Sequence, residues 1–401
     1  MSTALRELHD TGRGWLLAFG ALGLVAAGGL SAAAYMEHHG HIVTGMDNQI
    51  VWGLPHVFAV FLIVAASGAL NVASMASVFG KTEVKPLAPL SGLLAMALLV
   101  GGLAVLMLDL GRPDRLIVAM THYNFKSIFA WNVFLYTGFL AIVAAYLWTM
   151  LERRMNAHSA KVGLLAFVWR LALTTGTGSI FGFIVARQAF DSALLAPLFV
   201  TLSLAYGLAV FLLVLLAIFK GTGRPLGDAL LQRLARLLAI FVAAGLYFVI
   251  VQHLTGLYFT KQHAFERFIL VDGGVHTLLF WAGQVFVGGV LPLVLLLKAT
   301  PTRSAIVAAS ALVVAGAFAQ MYVTIIGGQA YPMPLFPGKT VVASSFFDGQ
   351  IATYAPSLPE AALGVGGFAL ALALAAFALK VLPFLPQSLS DADADPHYKA
   401  A

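Results

Sequence analysis

Side chains able to carry protons collect at one end of this chain's apolar stretches. Eight of the eleven histidines (His38, His39, His41, His56, His122, His253, His263 and His276) fall in or beside connections on one side. His56 sits in Trp52-Gly-Leu-Pro-His56, Asp109 closes a later apolar run, and His122, Asn124, Lys126, Trp131 and Asn132 introduce the next. Antiparallel packing of those runs brings their ends to one depth. A histidine titrates near neutrality, and beside a carboxylate it could hydrogen-bond the carbonyl oxygens of a quinone ring and exchange protons with it. The alternative for these residues is that Asp109 pairs with Arg112 or Arg115 and His56 caps a helix end. Arg187, with Gln188 and Asp191, closes another run on the same side and either completes this cluster or snorkels at the interface.

A second cluster comprises Gln252, His253, His263, Glu266, Asp272 and His276. It reads as a proton exit, a docking face, or structural pairing such as Asp272 with Arg267. Arg170 is the one deep cation, and it either snorkels toward the nearer surface or joins Asn71 and Ser67 in a proton route. His38-His39-x-His41 is a compositional histidine tract of low specificity, so no metal site is expected. No two histidines form an obvious stacked pair across the membrane, which argues against a haem b.

The elements that must position these residues are membrane helices. With 60% hydrophobic and 10% charged residues, the chain falls far from soluble domains, of which roughly a quarter is charged. A bilayer crossing needs roughly 20 apolar residues. Runs of that length lie near 14–36, 53–79, 87–109, 127–151, 163–186, 194–219, 234–258, 274–298, 303–326 and 361–383. An all-α integral membrane protein of about ten transmembrane helices is expected, and nothing alternates as a barrel strand would.

The net charge of +6 is no nucleic-acid footprint, because the basic residues form no patch or stripe. They report topology instead. Of the 23 lysines and arginines, fifteen fall in the N- and C-terminal tails and the connections on their side, and seven fall on the opposite side. The positive-inside rule then places both termini in the cytoplasm. The first run lacks a small-residue cleavage site and reads as a retained helix rather than a signal peptide. There is no cysteine, so the protein itself ligates no iron–sulfur cluster.

Three connections are long and polar: Glu37 to Trp52, Leu110 to Lys126, and Gly327 to Glu360. The last is rich in glycine, proline and aromatic residues, and is expected to fold over a partner or a site. The residues from Ser388 to Ala401 read as a flexible cytoplasmic tail.

Four stretches resemble the NrfD/PsrC family of quinone-reactive membrane subunits of bacterial respiratory complexes. They are Trp52-Gly-Leu-Pro with the small-residue run Ala65 to Asn71, Asp109-Leu-Gly-Arg-Pro113, Asn124-Phe-Lys-Ser127, and Pro292. The ten-helix length, Gly327-Gly-Gln-Ala-Tyr-Pro332, Pro359-Glu-Ala-Ala-Leu-Gly364 and Leu382-Pro-Phe-Leu-Pro386 are most similar to the HybB/DsrP branch, which points to dissimilatory sulfur metabolism. The resemblance implies two four-helix bundles, over 53–186 and 194–326, flanked by 14–36 and 361–383, with 327–360 as a long periplasmic loop. It implies a quinone or quinol pocket (menaquinone or ubiquinone) toward the periplasmic side of the first bundle, and a periplasmic ferredoxin-like iron–sulfur partner among further subunits of a redox complex. By position His56 matches the family's pocket residue, and Asp109 with Arg112 matches the turn beside it. The sequence departs at Trp281-Ala-Gly-Gln284, where some HybB-like members place a glutamate, so no proton pumping is read from it.

The expectation is therefore an inner-membrane subunit in which His56 and Asp109 exchange protons with the quinone. Arg112, His122, Trp131, Asn132 and Arg187 would surround the ring, and 327–360 would contact the partner. The rivals are a secondary transporter, which would need polar groups and broken helices near the midplane, and a purely structural anchor.

Overall fold

A helix satisfies its own backbone hydrogen bonds, which is why apolar runs of this length cross a bilayer as helices. The computed structural model describes residues 5–8, 12–333 and 350–394. Among them are ten helices long and apolar enough to cross a membrane. These are α1 (Arg13–His39), α2 (Leu54–Ser77), α3 (Thr82–Leu108), α4 (Ile128–Leu151), α5 (Arg153–Gly182), α6 (Leu195–Thr222), α7 (Asp228–Tyr258), α8 (Val275–Leu296), α9 (Arg303–Ala330) and α10 (Leu358–Val381). The protein is an all-α integral membrane protein.

Helices α2 to α5 pack on one another as one bundle and α6 to α9 as a second, while α1 lies on α10 and α10 lies on α2 and α3. The bundles meet where α2 crosses α6. A Cβ on Gly68 would stand 1.6 Å from the Ser203 carbonyl oxygen, and one on Gly207 would stand 2.1 Å from Ala69 N. Only glycine permits this backbone approach, a device that membrane interfaces favour.

Two segments far apart in sequence meet at one face, where β1 (Leu5–Arg6) pairs antiparallel with β2 (Leu385–Pro386). Arg224 staples them: Nη1 donates to Pro386 O at 3.0 Å and Nη2 to Glu7 O at 3.1 Å. The segment expected to begin a free tail at Ser388 is held down instead. Leu389 is fully buried, its N–H donates to Pro225 O, and its carbonyl accepts from Gly227 N. Residues 395–401 of that tail lie outside the described residues.

The opposite, distal face carries the candidate site. Here α9 runs farther than its hydropathy suggests, through a π-helical turn at Val323–Gly327 to Ala330. Gly327-Gly-Gln-Ala330, expected as loop, is thus buried helix end, and residues 334–349 of that connection lie outside the described residues. Arg187 falls past the end of α5 in the turn toward α6.

Candidate functional site

Pro55 lies in the first turn of α2, where its missing N–H costs nothing, and this places His56 at the helix entrance. Asp109 caps the C-terminus of α3. Because α2 and α3 are antiparallel neighbours, His56 Nδ1 comes to 2.8 Å from Asp109 Oδ2, with side-chain exposures of 15% and 0%. The ring N–H is not aimed along that line. Neither oxygen of Asp109, nor His56 Nδ1, completes a hydrogen bond among the described residues. The pair is therefore a close contact with unspent hydrogen-bonding capacity, of the kind that tightens when a ligand arrives.

Aromatic rings wall this pair. The Trp52 ring stacks near His56 at 6.1 Å between centroids and meets Phe181 edge-on at 5.8 Å and Phe129 at 6.1 Å. Trp52 thus bridges α2 to the ends of α4 and α5. One helical turn after Phe129, the buried Asn132 donates from Nδ2 to Ile128 O and to Gly176 O of α5. Its Oδ1 has no donor among the described residues.

A polar cap fixes the entrance of α2. Gln329, 1% exposed, accepts at Oε1 from Val51 N and Trp52 N, and donates from Nε2 to Trp52 O and Ile325 O. Arg187 donates to Gln329 O and Gln49 O, each at 2.9 Å. Burial holds this guanidinium below the ordinary arginine pKa. Tyr354 accepts from Leu54 N at 2.6 Å and donates to Glu360 Oε1 at 2.6 Å. Glu360, fully buried, also accepts from Gly45 N and Ser357 N. Burial first, then the hydrogen bond to Glu360, pushes the Tyr354 pKa well above the usual tyrosine value.

The other sequence-predicted residues sit elsewhere. Arg112 forms a two-pronged contact with Asp114 at 3.0 Å, both largely exposed, which raises the arginine's pKa and lowers the aspartate's. This pair forms within three consecutive residues, so Arg112 is not spent on Asp109. His122 contacts its neighbour Thr121, and half-exposed Trp131 donates to Phe125 O. Arg187 grips the cap rather than the carboxylate. Arg170 does not snorkel: it is 2% exposed, Nη2 donates to Asn71 Oδ1 at 2.9 Å and Nη1 contacts Ser67 O.

Sequence reasoning missed Gln49, Gln329, Tyr354 and Glu360. The Ser357-Leu-Pro-Glu360 capping box was a visible signal for the last. Nothing local foretold the bond from Gly45 to Glu360.

Fold and site together define a polytopic helical membrane protein with an imidazole–carboxylate pair buried at one end of its first bundle. The chain belongs to the NrfD family: the family model described as polysulphide reductase, NrfD, matches residues 42–333. It is 28% identical over 368 residues to the Hdr-like menaquinol oxidoreductase integral membrane subunit of Archaeoglobus fulgidus, spanning 91% of this sequence and 92% of that protein. It is 29% identical to a putative dimethyl sulfoxide reductase membrane subunit of Halobacterium salinarum, over 94% of this sequence and 93% of that protein. Identity to one of the polysulfide reductase chains of Wolinella succinogenes is 25%, over 71% of this sequence and 96% of that protein.

Proposed function

We propose that this protein is the quinol-interacting membrane subunit of a multi-subunit redox complex. The observation that carries the reading is Asp109, a fully shielded carboxylate with no hydrogen-bond donor among the described residues, held 2.8 Å from His56. A buried charge in that state is costly and is a functional-site hypothesis in a membrane protein. The menaquinol named in the Archaeoglobus relative supports a quinol as the substrate.

Nδ1 of His56 faces Asp109, which leaves Nε2 as the nitrogen that takes a proton from a ring hydroxyl. Asp109 stabilises the resulting imidazolium as the orienting carboxylate of a catalytic triad does. Asp109 has no exposure of its own, so the proton leaves by way of His56. Trp52 supplies the flat wall and Asn132 Oδ1 an acceptor for the second hydroxyl. Oxidation of one quinol passes two electrons to the partner and two protons in turn through His56, which releases the first to the aqueous side before it takes the second, while Asn132 only accepts a hydrogen bond; quinone reduction runs the same steps in reverse. The sequence has no cysteine, so the electrons pass to an iron–sulfur subunit of ferredoxin type docked on the distal face, where Arg112, His122 and Trp131 are displayed. The lysine and arginine bias supports a periplasmic distal face, as expected for a subunit of the bacterial inner membrane. The resemblance of Gly327 to Pro332 to the DsrP branch supports a place in dissimilatory sulfur metabolism, with menaquinone or ubiquinone as the carrier.

The test is quinol oxidation by the purified complex. His56→Gln and Asp109→Asn lower the rate by roughly 10²–10⁴, the range of a lost acid–base group, and Arg153→Ala, exposed on the opposite face, leaves turnover intact. Wild-type rates in both pocket variants would overturn the reading.

A further inference from the structure

The second bundle carries its own imidazole–carboxylate pair. His253 Nδ1 of α7 lies 2.7 Å from Glu266 Oε2 in the connection to α8, with side-chain exposures of 19% and 3%. Unlike the pair in the first bundle, this contact is an aligned hydrogen bond. Gly256 makes room for it, since a Cβ there would stand 2.1 Å from Glu266 Oε1. The Phe280 ring meets His253 edge-on at 4.7 Å.

The pair borders a cavity of about 50 Å³ whose polar lining is Gln252, His253, Glu266, Gln284, Gln320 and Thr324. A second cavity of about 30 Å³ shares Gln284 and Gln320 and continues to Tyr206, whose hydroxyl donates to Gln320 Oε1 at 2.7 Å. A water needs roughly 10–15 Å³ of such space and two to four polar partners. The two cavities therefore have room for a handful of waters and are too small for a quinone ring. Gln284 belongs to a twelve-residue π-helical stretch, Leu279–Val290, a winding often found at functional positions.

We infer that the second bundle contains a hydrated chamber in which His253 and Glu266 take up one proton from the distal aqueous phase, hold it between imidazole and carboxylate, and return it through the chamber waters. No electron moves and no covalent bond forms apart from the O–H or N–H that the proton makes. The chamber ends at Tyr206, against the apolar faces of Val242, Val313 and Ala317. It is a side branch for proton exchange, separate from the His56 site. The charged neighbours do not neutralise the pair: Arg267 bonds Asp272 and Lys261 bonds Asp191, both toward solvent. His276, with Nδ1 unpartnered among the described residues, packs against Phe268 and Tyr322.

Two measurements on the full complex in nanodiscs test this. In hydroxyl-radical footprinting of the wild type, Phe265 and Tyr206, which line the cavities, are oxidised severalfold faster than Tyr136 and Tyr146 of α4, which are similarly buried and line neither cavity. Equal protection of all four would overturn the hydrated chamber. In infrared difference spectra taken across the histidine titration range, the wild type shows a deuterium-exchangeable carboxyl signal that Glu266→Gln abolishes and Asp109→Asn retains. Gly256→Ala, which displaces the same carboxylate, shifts that signal and serves if Glu266→Gln does not accumulate. Absence of the signal in the wild type, or its survival unchanged in the Glu266 or Gly256 variant, would overturn the proton assignment. Neither readout depends on quinol turnover, so the outcome is distinct from that of the His56 and Asp109 variants.

Discussion

Gln329 grips Trp52 at both of that residue's backbone polar groups, accepting from Trp52 N and donating to Trp52 O, each at 3.0 Å. The end of α9 in the second bundle thereby fixes the aromatic wall of the site in the first. Gln329→Ala strands the part-buried N–H groups of Val51 and Trp52, at a cost below the ~1–3 kcal/mol of a fully buried unsatisfied group. The variant is expected to melt at a lower temperature and to raise KM for quinol more than it lowers kcat. An unchanged KM would separate the cap from the pocket.

Tyr354 gives the cap a pH dependence on the alkaline side. Its folded pKa lies above the ordinary value of 10.0, so its contribution to stability is complete below that pH and is lost as pH rises through the folded value. Melting temperature is expected to fall more steeply above about pH 10 in the wild type than in Tyr354→Phe, which cannot ionise. Parallel curves would show that this hydroxyl does not govern the cap.

The seam between the bundles tolerates no side chain at Gly68. Gly68→Val drives a branched group into the Ser203 carbonyl, costing upward of the ~1–3 kcal/mol typical of overpacking. Reduced yield of monodisperse protein in detergent is expected. The same substitution at Gly28, which has open space around it, should be silent.

Arg170 is a buried cation bonded to an amide and a carbonyl, with its Nε unpartnered among the described residues. Replacing a buried charge by an apolar side chain of similar volume is often neutral or stabilising, by ~1–4 kcal/mol. Arg170→Met is expected to keep or raise the melting temperature, and Asn71→Ala, which removes the cation's side-chain acceptor, to lower it. A large fall in Arg170→Met would show that the cation is a structural requirement.

The ten helices were legible because a bilayer leaves apolar runs few alternatives, and the His56–Asp109 contact because both residues end antiparallel neighbours. Long-range polar contacts were not. Arg112 looked available to Asp109 until its geometry favoured Asp114, two residues away. Glu360 and Gln329 act on residues some three hundred positions distant, and no periodicity encodes that meeting. Arg170 looked like a snorkelling side chain because hydropathy does not show that Asn71 stands within its reach.

The central proposal is that a quinol ring binds beside Trp52, His56 and Asp109. Photolabelling of the intact complex with an azido-quinone, read by mass spectrometry, tests it most directly. The account predicts adducts on the segments holding Trp52 to His56 and Phe129 to Asn132, displaced by excess quinol and lost in His56→Gln. Displaceable adducts confined to other helices, with these segments unlabelled, would contradict it.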